Sequence, residues 1–180
     1  MEYKASLDTL CKVLTVGVFV LFFAIGRKNV RALMAAHGEI TPTLIHGGVL
    51  LLFISIVIGS YLFSTNRYTL TSNELVINRP IGNKVISVAD ITEIRAVDTI
   101  DFSGTIRTFG NGGLFGYYGK YYNAKLGNMT WYVTQKKNRI FILTKQGNKI
   151  IISPDDIGLL NNVQTLRQTN KWPTTNEFDD

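Results

Sequence analysis

The sequence predicts a mainly-β domain, a barrel of about seven short antiparallel strands closed by a C-terminal helix and preceded by two membrane-spanning helices. Three observations carry this expectation. Two uncharged apolar blocks lie before Phe63. From Arg67 the apolar period drops to two, with turn residues every few positions. Beyond Ser153 the period changes again, to a helical stripe. Composition agrees with an uneven chain: 46% of the 180 residues are hydrophobic and only 18% charged, against roughly 25% charged in average soluble proteins.

The first block, Val13–Ile25, reads VLTVGVFVLFFAI. Crossing ~30 Å of hydrocarbon takes about 17–25 helical residues. Leu10 and Cys11 extend the block if Lys12 snorkels toward the headgroups, giving an expected span of about residues 9–26. A cleaved signal peptide is the competing reading, but Arg27, Lys28 and Arg31 occupy the place of the small, neutral cleavage region. The second block, LIHGGVLLLFISIVIGSYLF, covers residues 44–63 without a fixed charge. Thr41 and Pro42 suit a helix start, and Tyr61 and Phe63 suit an aromatic belt. His46 reads as an interfacial histidine rather than a proton relay. Residues 1–66 therefore form a helical hairpin with both ends on one side. Lys4, Lys12, Arg67, Arg79 and Lys84 on that side outnumber Arg27, Lys28 and Arg31 on the link, which favours a cytoplasmic domain.

In RYTLTSNELVINRP, Tyr68, Leu70, Leu75 and Ile77 alternate around the Ser72–Asn73 turn, which predicts a hairpin. Pro80–Asn83 is the next turn. Strands follow at Val85–Ile86, Ile91–Val97, Trp131–Thr134, Ile140–Thr144 and Lys149–Ile152. Lys136–Asn138 and Gln146–Asn148 read as the hairpin turns between the last three. Ser153 is the expected helix cap, with Pro154 in the first turn and Asp155 and Asp156 facing the positive dipole end. Ile157, Leu160, Val163 and Leu166 form the stripe that would seal the barrel. The domain spans 67–170, and 171–180 is expected to be a flexible tail.

Four stretches now carry a resemblance: RYTLTSNELVI after the second span, ISVADITEI, the GNGGLFGYYGKYYN insertion, and ISPDD before the last helix. Over Arg67–Leu166 the chain resembles the bacterial PH-like (pleckstrin-homology) domains attached to transmembrane hairpins. The resemblance implies a PH-like barrel on a membrane anchor, in a bacterial inner membrane. It does not imply phosphoinositide binding, because the corresponding turn, Thr71–Glu74, has no lysine or arginine.

RTFGNGGLFGYYGKYYN, Arg107–Asn123, is the least ordinary stretch. Gly110 and Gly112 begin a dinucleotide fingerprint, but Phe115 stands at its third glycine and no helix follows. Gly119–Lys120 is followed by Tyr121 rather than the Ser or Thr of a phosphate loop. Six aromatics exclude a solvated linker. An ordered loop between two strands remains. It either folds back over one end of the barrel or meets a headgroup layer or partner. Arg107, Phe115, Tyr117, Tyr118, Lys120, Tyr121 and Tyr122 are the candidate contact residues.

Chemistry is poorly supported by this inventory. Both histidines, His37 and His46, precede the domain, so no Ser–His–Asp or Cys–His set can form there. One cysteine, Cys11, excludes an internal disulfide. Asp98 and Asp101 lack the further carboxylates a calcium site takes. The scattered net charge of +6 makes no nucleic-acid stripe. No catalytic residue, metal or cofactor is expected. The partners expected are the lipid bilayer and a protein of unknown identity. The expected function is a non-enzymatic module binding a protein partner or membrane surface. The alternative is an accessory subunit assembled through its transmembrane helices.

Overall fold

The computed structural model describes residues 1–36 and 39–171, with backbone alone at 99, 100, 170 and 171. His37 and the expected tail beyond Lys171 lie outside the described residues. Helix α1 (Thr9–Ala35) and helix α2 (Ile40–Leu62) are both long and apolar enough to cross a membrane. They exceed the expected spans at the end away from the domain. No proline or glycine interrupts Arg27–Ala35, so α1 continues through its basic cluster. Asn29 and His46 meet across the two helices, Oδ1 to Nδ1, at 2.9 Å. Phe22 stacks on Phe53 at 4.2 Å.

Ten strands are described, three more than the sequence suggests. The first sheet has the order β1–β2–β3–β4, from Glu2–Lys4, Arg67–Leu70, Glu74–Asn78 and Lys84–Ser87. Its strand β1 comes from residues that the sequence reading left with the hairpin, and pairs antiparallel with β2. The second sheet has the order β5–β9–β10–β8–β7–β6. These are Ile91–Val97 (β5), Ile106–Gly112 (β6), Tyr117–Asn123 (β7), Gly127–Val133 (β8), Arg139–Thr144 (β9) and Lys149–Ile152 (β10).

Lys136–Asn138 is not the hairpin turn expected of it. Strand β10 inserts between β8 and β9 and runs parallel to β8. The KIII sequence explains the placement, because a strand apolar on both faces belongs in the middle of a sheet. Ile150 and Ile152 face the main core with Tyr68, Leu75, Ile77 and Ile142. Ile151 faces a second cluster with Tyr117, Tyr121, Met129 and Trp131.

Helix α3 (Gly158–Lys171) closes the main core with Leu159 and Val163, both fully buried. It starts later than the Ser153 cap would place it. Ser153 is buried, and its hydroxyl accepts from Thr134 N at 2.9 Å. Its own amide donates to the Tyr68 hydroxyl at 3.1 Å. Asp156 serves the helix start instead, accepting from Gly158 N at 2.8 Å. The sheet junction claims Ser153 because its polar groups are buried there and need partners.

The glycine–aromatic stretch also departs from the expected loop. It is the β6–β7 hairpin itself, not a loop between strands. Gly110 and Gly119 lie opposite each other with φ of 109° and 122°. A Cβ on either would strike the backbone of the opposite strand. Only glycine allows this approach.

Candidate membrane interface

Both ends of the helical hairpin are gripped by the domain. At the start of α1, Asp8 caps the helix by accepting from Cys11 N at 2.7 Å. Its own amide donates to Thr134 O at 3.0 Å. Just upstream, Ser6 Oγ donates to Asp155 Oδ2 at 2.5 Å, so Asp155 ties the N-terminal strand to the barrel. At the end of α2, backbone carbonyls without helical partners find them in the domain. Tyr118 donates its hydroxyl to Ser60 O at 2.5 Å, and Ile81 N donates to Leu62 O at 3.1 Å.

The tip of the β6–β7 hairpin reaches both helices. Phe115 packs edge-on to Phe19 of α1 and Tyr61 of α2, at 6.1 and 5.8 Å between centroids. Its amide donates to Thr15 Oγ1 at 3.2 Å. Asn111 shapes the tip. Its amide donates to Leu114 O at 2.8 Å and Tyr118 Oη at 2.9 Å, and its oxygen accepts from Leu114 N at 3.0 Å.

The candidate residues divide by strand alternation. Tyr117 and Tyr121 are buried in the second cluster. Tyr121 stacks on Trp131 at 4.2 Å and donates to Asn111 O at 2.8 Å. Tyr118 faces the other way, onto α2. Tyr122 is exposed, as are Arg107 and Lys120. Lys120 donates to Thr130 Oγ1 at 2.9 Å. Phe109, absent from the expected contact set, is the most exposed aromatic described, at 77%. It sits just past the bulge in β6, which turns it to the same face as Lys120, and the sequence does not reveal that bulge.

Burial pushes the Tyr68 and Tyr117 hydroxyls well above the ordinary tyrosine range. Burial also pushes Tyr121 up to about 12, with Arg107 pulling slightly the other way. These shifts set a pH window. Above pH ~10 the unfolded chain loses phenolic protons that the folded chain keeps. Stability is level below that point and then falls by about 1.4 kcal/mol per pH unit for each tyrosine. Melting temperatures of the full chain in detergent should drop between about pH 10 and 12. A melting temperature constant across that window would contradict the burial of these three hydroxyls.

A PH-type barrel holding both ends of two helices long and apolar enough to cross a membrane defines a PH-like module with a candidate membrane hairpin. The chain belongs to the bacterial PH domain family, whose model matches residues 66–168, more than half its length. No curated protein and no solved structure matches it.

Proposed function

We propose that this chain is a non-enzymatic module of the bacterial inner membrane whose PH-like domain, on the cytoplasmic side, binds the membrane surface through the outer face of the β6–β7 hairpin. One observation carries the reading: Phe115 is wedged between α1 and α2. Phe19 lies ten residues into α1, about 15 Å along its axis. Phe19 is six residues, about 9 Å, beyond Val13, so a bilayer covering the uncharged run from Val13 brings the hairpin tip through the headgroup layer to the upper acyl chains. Ile106, Phe109 and Tyr122 then offer exposed apolar surface, with Lys120 on the same face. That mixture suits anionic lipid, which the cytoplasmic leaflet presents. The absence of any histidine from the domain sequence supports binding over catalysis.

The alternative, an accessory subunit assembled through its helices, draws on α2, none of whose residues is buried within the chain. The two readings separate in nanodiscs. Cys11 is buried, so an environment-sensitive thiol dye attaches selectively to a Phe109→Cys chain. Membrane contact predicts blue-shifted emission, quenched by lipids brominated near the headgroup. Water-like emission that ignores the quencher would reject it and leave α2 as the contact surface.

A further inference from the structure

An open pocket of about 630 Å³ lies on the face of the β6–β7 hairpin that carries Tyr117 and Tyr121, opposite Phe109 and Lys120. Tyr121, Trp131 and Phe102 form its apolar floor. Ser103 and Thr105 line the end away from the hairpin tip, where Thr105 Oγ1 accepts from Asn123 at 2.8 Å. Two exposed cations, Arg107 and Lys136, complete the lining.

Both cations converge on Tyr117. Lys136 Nζ lies 5.6 Å from the Tyr117 ring centroid. Arg107 starts opposite Tyr121 and runs along β6 toward the tip, so that its guanidinium ends against Gly112, the cross-strand partner of Tyr117. Side chains of such a pair share a face, with Cβ atoms about 5 Å apart. The guanidinium therefore stands beside Tyr117. Neither cation takes part in an ion pair among the described residues, and no carboxylate lines the pocket. Asp8, which the Tyr117 hydroxyl meets at 3.4 Å, caps α1. Arg139 is buried on Phe102, 4.1 Å from the ring centroid, with Asp98 and Asp101 near it. It belongs to the wall.

Two placements bring the Arg107 and Lys136 pair to the headgroup layer, which is about 5–8 Å deep in each leaflet. Asp8 lies five residues, about 7–8 Å, before Val13, and its amide bonds Thr134 O, two residues before Lys136. Gly112 and Tyr117 lie three and two residues behind Phe115, about 7–10 Å along the strands. Phe115 N itself bonds Thr15, at the start of the uncharged run.

We infer that this pocket holds the phosphate of an anionic phospholipid of the same leaflet between Arg107 and Lys136, with the polar end of the headgroup toward Ser103 and Thr105. Guanidinium and ammonium groups bind phosphate oxygens through charge-assisted hydrogen bonds. A zwitterionic headgroup brings a cation of its own against these two. The inference rests on the depth of the hairpin tip in the reading above. It uses other residues than the outer face of the hairpin and than the Thr71–Glu74 turn.

Native mass spectrometry of the full chain, released from micelles after incubation with equal phosphatidylglycerol and phosphatidylcholine, tests it. Phosphatidylglycerol should be retained with a preference of about tenfold. Arg107→Gln with Lys136→Gln should bring that preference to parity, whereas Lys84→Gln, outside the pocket, should leave it unchanged. A second variant keeps every charge. Gly112 is not among the glycines with positive φ, and the nearest atoms a Cβ there would meet all belong to Arg107. Gly112→Ala therefore displaces the guanidinium and leaves β6 unstrained, and should lower the preference about threefold or more. Glycerophosphoglycerol and inorganic phosphate, which no micelle concentrates at the site, should not displace the lipid.

Parity in the unaltered chain overturns the site. An undiminished preference in the double variant or in Gly112→Ala, an equal loss in Lys84→Gln, or displacement by the soluble phosphates does the same. Dye emission at position 109 reads the other face of the hairpin and does not depend on this pocket. Lipid preference with water-like emission would thus reject docking of that face and keep the pocket. Embedded dye with parity between the lipids would reject the pocket alone.

Discussion

The Leu159→Asp chain should not hold a folded barrel, while Leu160→Asp should remain folded with reduced stability. Leu159 is fully buried beneath α3, against the main core. Truncating a buried leucine costs about 2–5 kcal/mol. Placing a carboxylate there adds several more, since no cation of the main core can pair with it. The sum approaches the whole stability of a domain, about 5–15 kcal/mol. Leu160 is only partly buried, so an aspartate there can turn toward water at roughly 1–3 kcal/mol. Denaturant titration of the full chain in detergent, followed by circular dichroism, reads both. A Leu159→Asp chain with the unaltered midpoint would mean that α3 does not seal the barrel.

The same pair of leucines shows where sequence reading stopped. Adjacent leucines fit a helical stripe equally well, and the stripe chosen through Ile157 and Leu160 depended on a helix starting near Ser153. With the first turn at Gly158, Leu159 and Val163 turn inward and Ile157 is left 38% exposed. Ser153 could not be assigned correctly because its partners, Thr134 and Tyr68, are distant in sequence. The aliphatic strands were legible because their alternation is local. Strand β1 was not, since EYK acquires its role only by pairing with β2. The position of β10 between β8 and β9 is likewise a long-range choice.

The candidate interface was half legible. Its residues were visible as an aromatic cluster, but its strands were hidden by glycines, which carry no side chain to show a period. Once the register is known, Tyr117, Gly119 and Tyr121 fall on one face and Tyr118, Lys120 and Tyr122 on the other.

That division of faces yields the sharpest remaining expectation. Tyr117→Ser with Tyr121→Ser should unfold the six-stranded sheet, whereas Tyr118→Ser with Tyr122→Ser should leave it folded and loosen only the hairpin. Tyr121 loses a ring stacked on Trp131 and a hydrogen bond to Asn111 O. Tyr117 loses its packing in the cluster that also buries Cys11. Each large buried ring removed costs about 3–5 kcal/mol, so the pair removes most of a typical ~5–15 kcal/mol. Tyr122, at 42% exposure, contributes little packing. Tyr118 gives up two hydrogen bonds, one donated to Ser60 O and one accepted from Asn111 Nδ2, each typically worth about 0.5–1.5 kcal/mol, together with part of its contact with α2. Hydrogen exchange on the full chain in nanodiscs resolves the two cases. In the first, protection should be lost across β6, β7 and β8. In the second it should fall only around Asn111–Tyr118, where the tip meets the helices. Unaltered protection of β7 and β8 in the Tyr117/Tyr121 variant would show that the second cluster is not a core. All four tyrosines would then return to the contact surface, and the separation between buried and membrane-facing sides of this hairpin would have to be abandoned.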